Sequence, residues 1–145
     1  MMRRRLQAAE AGGALLLAFV LVFVLPFRML AGLMGASVPR DVAPAGGAAR
    51  VASGLALARR VQRAAAAVRP QATCLVQAVA LWLLLRRRGL DGHVRLGVLR
   101  EGEALRAHAW VDVAGVTVLG GQEAAGYSAI ADLGAGRDGA PRRSA

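Results

Sequence analysis

The sequence predicts an α+β domain in which a central helix packs against a small antiparallel sheet of three or more strands. Three observations carry this. Thr73 to Gly89 reads as one strongly apolar helix with a stop signal at each end, and His93 to Arg100 and Arg106 to Val113 alternate as half-buried strands. Two earlier stretches, Ala11 to Phe27 and Ala49 to Val68, have the apolar content and spacing of helices. At 145 residues the chain has room for one ordinary domain.

In chain order, Arg3-Arg4-Arg5 precede an uncharged run from Ala11 to Phe27, interrupted by Pro26 and followed by Arg28. The run is about as long as the shortest membrane-spanning helices, roughly 17 residues. Three readings fit it: a helix packed on the core or gripping the membrane surface, a true membrane anchor, or a cleaved signal. Residues 1–36 are thus an apolar N-terminal helical segment. Residues 37–48, with Pro39, Pro44 and Gly46-Gly47, have linker composition. Ala49 to Val68 places Val51, Leu55, Ala58, Ala65 and Val68 at helical spacing, leaves Arg50, Arg59, Arg60 and Arg63 exposed, and stops at Arg69-Pro70.

Thr73 is then a good N-cap, so the next helix begins at Cys74; Arg86-Arg87-Arg88 suit its negative end and Gly89 ends it. His93 to Arg100 sets Val94, Leu96 and Val98 against Arg95 and Gly97. Glu101-Gly102-Glu103 turns the chain, and in the following strand Ala107, Ala109, Val111 and Val113 share one face while His108, Trp110 and Asp112 share the other. With Ala114-Gly115 as a hairpin tip, Val113 pairs with Val116, and a regular count puts Gly120-Gly121 opposite Ala109 and His108. The tail, 134–145, is rich in Gly and Arg with Pro141 and is expected to be disordered.

A thiol in the first turn of a helix meets the positive end of the dipole and free backbone N–H groups, which favour thiolate and can hold an oxyanion. Cys74 is therefore a candidate nucleophile, although a lone cysteine on an apolar helix is more often buried packing. His108, on the strand that follows, is the candidate base. His93 starts its strand with no acidic or thiol neighbour in sequence and reads as structural or solvated.

Cys74-Leu75 with its Leu- and Trp-rich helix, then Arg-Arg-Arg-Gly-Leu, a Val-rich strand and Ala107-His108-Ala109-Trp110-Val111, resemble the transglutaminase-like (papain-like) cysteine proteases of lasso-peptide biosynthesis. Those proteins resemble the C-terminal half of the microcin-processing protease. The resemblance runs from about Pro70 to Tyr127 and makes residues 49–133 a catalytic domain. It implies a cytoplasmic leader peptidase that needs no cofactor, with Cys74 as nucleophile and His108 as base. The enzyme would free the N-terminus of a ribosomally made precursor before ring closure. The implied partners are the precursor's leader peptide, a separate leader-recognition protein and an asparagine-synthetase-like cyclase, with membrane association through residues 11–36 as a further expectation.

The third catalytic group departs from the family pattern. Asp112 lies four residues from His108 on one strand, about 13 Å away, too far to bond the imidazole. Where the family's acid falls, this chain has Gly120-Gly121. Gln122 or Glu123, reached through a bulge, and a backbone carbonyl stay open as substitutes. Those glycines, with the apolar N-terminus, motivate an alternative reading as a catalytically weak or inactive peptide-binding scaffold. Trp82 and Trp110 read as core packing, with Trp110 also a candidate wall of the substrate cleft.

Composition excludes other classes. A single cysteine rules out an internal disulfide and a Cys-rich zinc site. The net charge of +10 comes without any lysine, with no stacking aromatics among the arginines and no nucleic-acid or phosphate-loop motif. Nucleic acid is therefore not an expected partner, whereas an acidic peptide suits the charge.

Overall fold

The computed structural model of the chain describes residues 1–39 and 47–134. The linker reading of 37–48 and the tail reading of 134–145 therefore lie largely outside the described residues. Among the described residues four helices, α1 (Met2–Val24), α2 (Phe27–Met34), α3 (Ala48–Ala66) and α4 (Cys74–Arg87), accompany five strands: β1 (Ala36–Ser37), β2 (His93–Glu101), β3 (Ala104–Val113), β4 (Val116–Leu119) and β5 (Ser128–Leu133). The strands form one sheet in the order β1-β5-β2-β3-β4, every pairing antiparallel. The α+β expectation holds.

α4 is punctuated as its sequence requires. The Thr73 hydroxyl accepts the Val76 N–H at 3.4 Å. At the other end Gly89 takes φ +65°, and the N–H groups of Leu90 and Gly89 donate to the carbonyls of Leu85 and Arg86, both at 3.0 Å, closing a Schellman cap. The helix is apolar on nearly every side because it is covered on nearly every side. Val79, Leu81 and Leu85 are fully buried together with Val94, Val111 and Leu133 of the sheet, Val61 of α3 and Ala18 of α1.

α3 differs from its expected face. Leu55 and Val68 are exposed, and the buried stripe is Gly54, Leu57, Ala58, Val61 and Ala65. The reason is Gly54: a Cβ there would stand 3.2 Å from Val113 and 3.3 Å from Val118. Only its absence lets the helix close on the sheet, and that contact fixes which side faces inward.

Pro26, unable to donate an N–H, separates α1 from α2. α1 is long and apolar enough to cross a membrane by length and composition. One stripe of it, Ala11, Leu15 and Ala18, is buried against α3 and α4. Glu10 anchors the same side to the end of α4, with Arg88 Nη2 at 2.7 Å and Arg87 Nε at 3.8 Å. The hydrogen bond from Arg88 holds the Glu10 carboxyl below its ordinary range despite the opposing effect of burial.

The sheet has two unlike faces. Val94, Ala109, Val111, Val113 and Leu133 belong to the core shared with the helices. The alternation of β2 and β3, paired regularly from His93↔Asp112 to Glu101↔Ala104, puts His93, Arg95, Gly97, His108, Trp110 and Asp112 on the opposite face. The β3–β4 ladder begins at Val113↔Val116 as expected but shifts at a bulge, so that Val111 faces Leu119 rather than Val118. The regular count to Gly120-Gly121 is corrected by one residue, and Gly120 arrives against both Trp110 and His108.

Candidate active site

Cys74 is the first residue of α4 and is exposed. Capping uses the N–H groups of Val76 and Gln77, which donate to the Thr73 side chain and main chain. Gln77 Nε2 also donates to Ala72 O at 2.8 Å, tying the preceding loop to the first turn. Among the described residues, the N–H groups of Cys74 and Leu75 have no backbone acceptor, so two donors stand free beside the thiol.

His108 is half-buried on β3, its Nε2 3.0 Å from the carbonyl oxygen of Gly120. A carbonyl only accepts, so in this bond Nε2 carries the hydrogen and Nδ1 of the neutral ring keeps its lone pair. Of the three substitutes for the family's acid, the backbone carbonyl is the one that meets the ring; Gln122 and Glu123 are exposed. Gly120 is required for the approach. Its φ is +76°, and a Cβ would stand 3.1 Å from Ala109 O and 3.2 Å from His108 Nε2.

Two aromatic rings flank the imidazole. Trp110 stacks on it at 5.9 Å with 22° between planes, and Tyr127 lies 5.4 Å away at 48°. The Trp110 ring lies over Gly97, the residue facing His108 across the ladder; a Cβ on Gly97 would come within 2.6 Å of that ring. Trp110 is 6% exposed, consistent with its packing role. Trp82 is likewise buried, its Nε1 donating to Gly134 O at 3.3 Å.

Cys74 and His108 lie on elements that pack together, α4 and β3, at similar lengths along them from a shared contact. Leu85 and Val113 both crowd Gly92. From there back to Cys74 the helix runs about 16 Å, and from Val113 back to His108 the strand runs about the same length. The imidazole nevertheless projects from the face opposite the helix-covered one, and no hydrogen bond joins it to the thiol.

At the other end of that face, Arg95 is clamped by Asp132, Nε to Oδ1 at 2.9 Å and Nη2 to Oδ2 at 3.2 Å. Its Nη1 is 3.7 Å from Asp112 Oδ2, and Thr117 Oγ1 donates to Asp112 Oδ1 at 2.6 Å. Asp112, already a poor partner for His108 by distance, is fully committed here. The reading of His93 is refined. The carboxylates that reach it come from other strands: strand pairing sets Asp112 opposite it, with Asp112 and Asp132 carboxylate oxygens 3.9 and 3.8 Å from its Nε2.

Sequence reasoning missed Gly97, Tyr127 and the Arg95–Asp132 clamp. A glycine in mid-strand was a usable sign of close approach; nothing local marks the other two. Among the described residues no group of three or more His, Cys, Asp or Glu side chains is arranged to hold a metal ion.

A family model described as the transglutaminase-like superfamily matches residues 17–132. Comparison with curated proteins and with solved structures gives no match.

Proposed function

The chain belongs to the transglutaminase-like superfamily, and from that premise we propose that it is a cysteine peptidase that removes the leader from a ribosomally made lasso-peptide precursor in the cytoplasm. The observation that supports the peptidase reading is a capped helix start carrying an exposed thiol, on a helix that packs on the strand holding an imidazole whose Nε2 meets the Gly120 carbonyl. The leader substrate rests on the resemblance of the Cys74 and His108 motifs.

In this mechanism Nδ1 of His108 takes the Cys74 proton and the thiolate adds to the scissile carbonyl. The free N–H groups of Cys74 and Leu75 receive the oxyanion. The imidazolium then protonates the leaving amine, and a water deprotonated by the neutral ring hydrolyses the thioester. The Gly120 carbonyl holds the tautomer throughout but adds no negative charge.

A second reading, a peptide-binding scaffold, is favoured by one observation: the thiol and imidazole are not hydrogen-bonded. Both readings meet one experiment. The purified protein and its Cys74→Ala variant are incubated with leader-bearing lasso-precursor peptides, with and without a leader-recognition protein, and followed by mass spectrometry. Cleavage at one bond by the unaltered protein alone, with both proteins folded, supports the peptidase. Equal cleavage by the variant overturns it, and no cleavage by either favours the scaffold.

A further inference from the structure

We propose that α1 and α2 form a docking surface that lies in the plane of an anionic lipid bilayer, an inference independent of the catalytic reading. From Ala11 to Val24 α1 is apolar all round, yet the helix is buried along only one stripe, Ala11, Leu15 and Ala18. At about 100° per residue, Leu16, Val20, Phe23 and Val24 fall on the opposite side, and they are 67, 43, 57 and 70% exposed. Phe27, Met29 and Leu33 of α2 continue the patch at 53, 55 and 67%. Apolar surface on this scale, unpaired on a folded domain, marks an interaction site.

Charge selects the occupant. Arg3, Arg4 and Arg5 stand at one end of the apolar stretch and Arg28 at the other, while Glu10, the sole acid among residues 1–36, is neutralised by Arg88. Between α1 and α4 an open groove of about 750 Å³ sets Arg3, Gln7, Arg87 and the arginine-paired Glu10 beside Leu6, Leu17 and Leu83, a lining in which the arginines outnumber the one, already paired, acid and which suits a lipid phosphate and the start of its chains. A bilayer with anionic headgroups satisfies the arginines and the apolar stripe at once. The orientation follows from packing: with Ala11, Leu15 and Ala18 in the core and Glu10 tied to α4, α1 presents its length to the membrane and stays on one side of it.

The test is flotation of the full chain with phosphatidylglycerol/phosphatidylcholine vesicles and with phosphatidylcholine vesicles alone. Binding is expected to the anionic vesicles, to weaken as salt is raised, and to be released by alkaline carbonate. The triple variant Arg3→Gln, Arg4→Gln, Arg5→Gln is expected to lose roughly tenfold to a hundredfold in affinity. Phe23→Ser with Phe27→Ser, both exposed and outside the core, is expected to lose at least about tenfold. No binding to anionic vesicles, or equal binding by every variant, overturns the proposal. Resistance to carbonate overturns the in-plane geometry in favour of a spanning helix, and a soluble dimer dispersed by the Phe23 and Phe27 substitutions assigns the face to a second copy instead.

Discussion

At the His93 end of the outer sheet face, two carboxylates, a guanidinium and an imidazole crowd together; at the His108 end of the same strands, one imidazole faces a single neutral carbonyl. The difference follows from Arg95. A buried guanidinium is tolerated only when paired and hydrogen-bonded, and Asp132 and Asp112 are drawn to it by strand pairing. Both carboxylates at that end of the face are thereby spent on stability. At the other end Gly120 supplies a main-chain oxygen, which orients the imidazole through a neutral partner. One end of the face is built to hold the sheet together, the other to leave a ring nitrogen available.

The contrast breaks if substitutions at the two ends have the same kind of effect. On the proposed peptidase reading the largest expected effect is on turnover: His108→Ala lowers precursor cleavage by about a thousandfold or more, with the far-ultraviolet circular dichroism and melting temperature little changed. A small loss of cleavage rate would remove His108 from the chemistry. Next comes Asp132→Ala, which strips Arg95 of its bidentate partner and is expected to cost about 3–5 kcal/mol in urea unfolding. Cleavage per folded molecule should stay within about twofold, because the two ends lie about 13 Å apart along the strand; a large fall would mean that they are coupled.

Gly120→Ala sharpens the comparison from the other side. The forced positive φ costs about 1–2 kcal/mol, and the new Cβ against Nε2 displaces the imidazole. A tenfold to hundredfold fall in kcat with little change in KM is expected for a positioning role; an unchanged kcat would show that the carbonyl does not orient the base. The smallest effect belongs to neither end. Glu10 has a lowered pKa in the folded state, so its pairing stabilises the fold above the ordinary carboxylate range and is lost as pH falls through the lowered value. Glu10→Gln should cost less than about 1 kcal/mol at neutral pH and flatten the acid limb of the melting-temperature profile. An acid limb unchanged in the variant would assign that limb to other carboxylates.

Much of the scaffold for this contrast is legible along the chain. Thr73 and Gly89 bracket α4, Pro26 stops α1, and the period-two pattern around His108 assigns its strand and its face. α3 shows the limit of such reading. Val51, Leu55, Ala58, Ala65 and Val68 make a plausible apolar stripe, but Gly54 packs so closely that Leu55 is left outside. Periodicity ranks faces by hydrophobicity, whereas packing ranks them by how closely the backbones approach.

By itself the sequence determined the helix ends, the strand alternation, the α+β class and the placing of Cys74 at a helix start and His108 on the second strand after it, because each depends on residues a few positions apart. Tertiary structure alone decided what His108 bonds to and where the acids go. His108 meets Gly120 across 12 positions only because a bulge shifts β4 by one residue, and Arg95 meets Asp132 across 37 because β5 returns beside β2. Such partners are fixed by register, and register is settled when separate segments pack, so no local pattern specifies it.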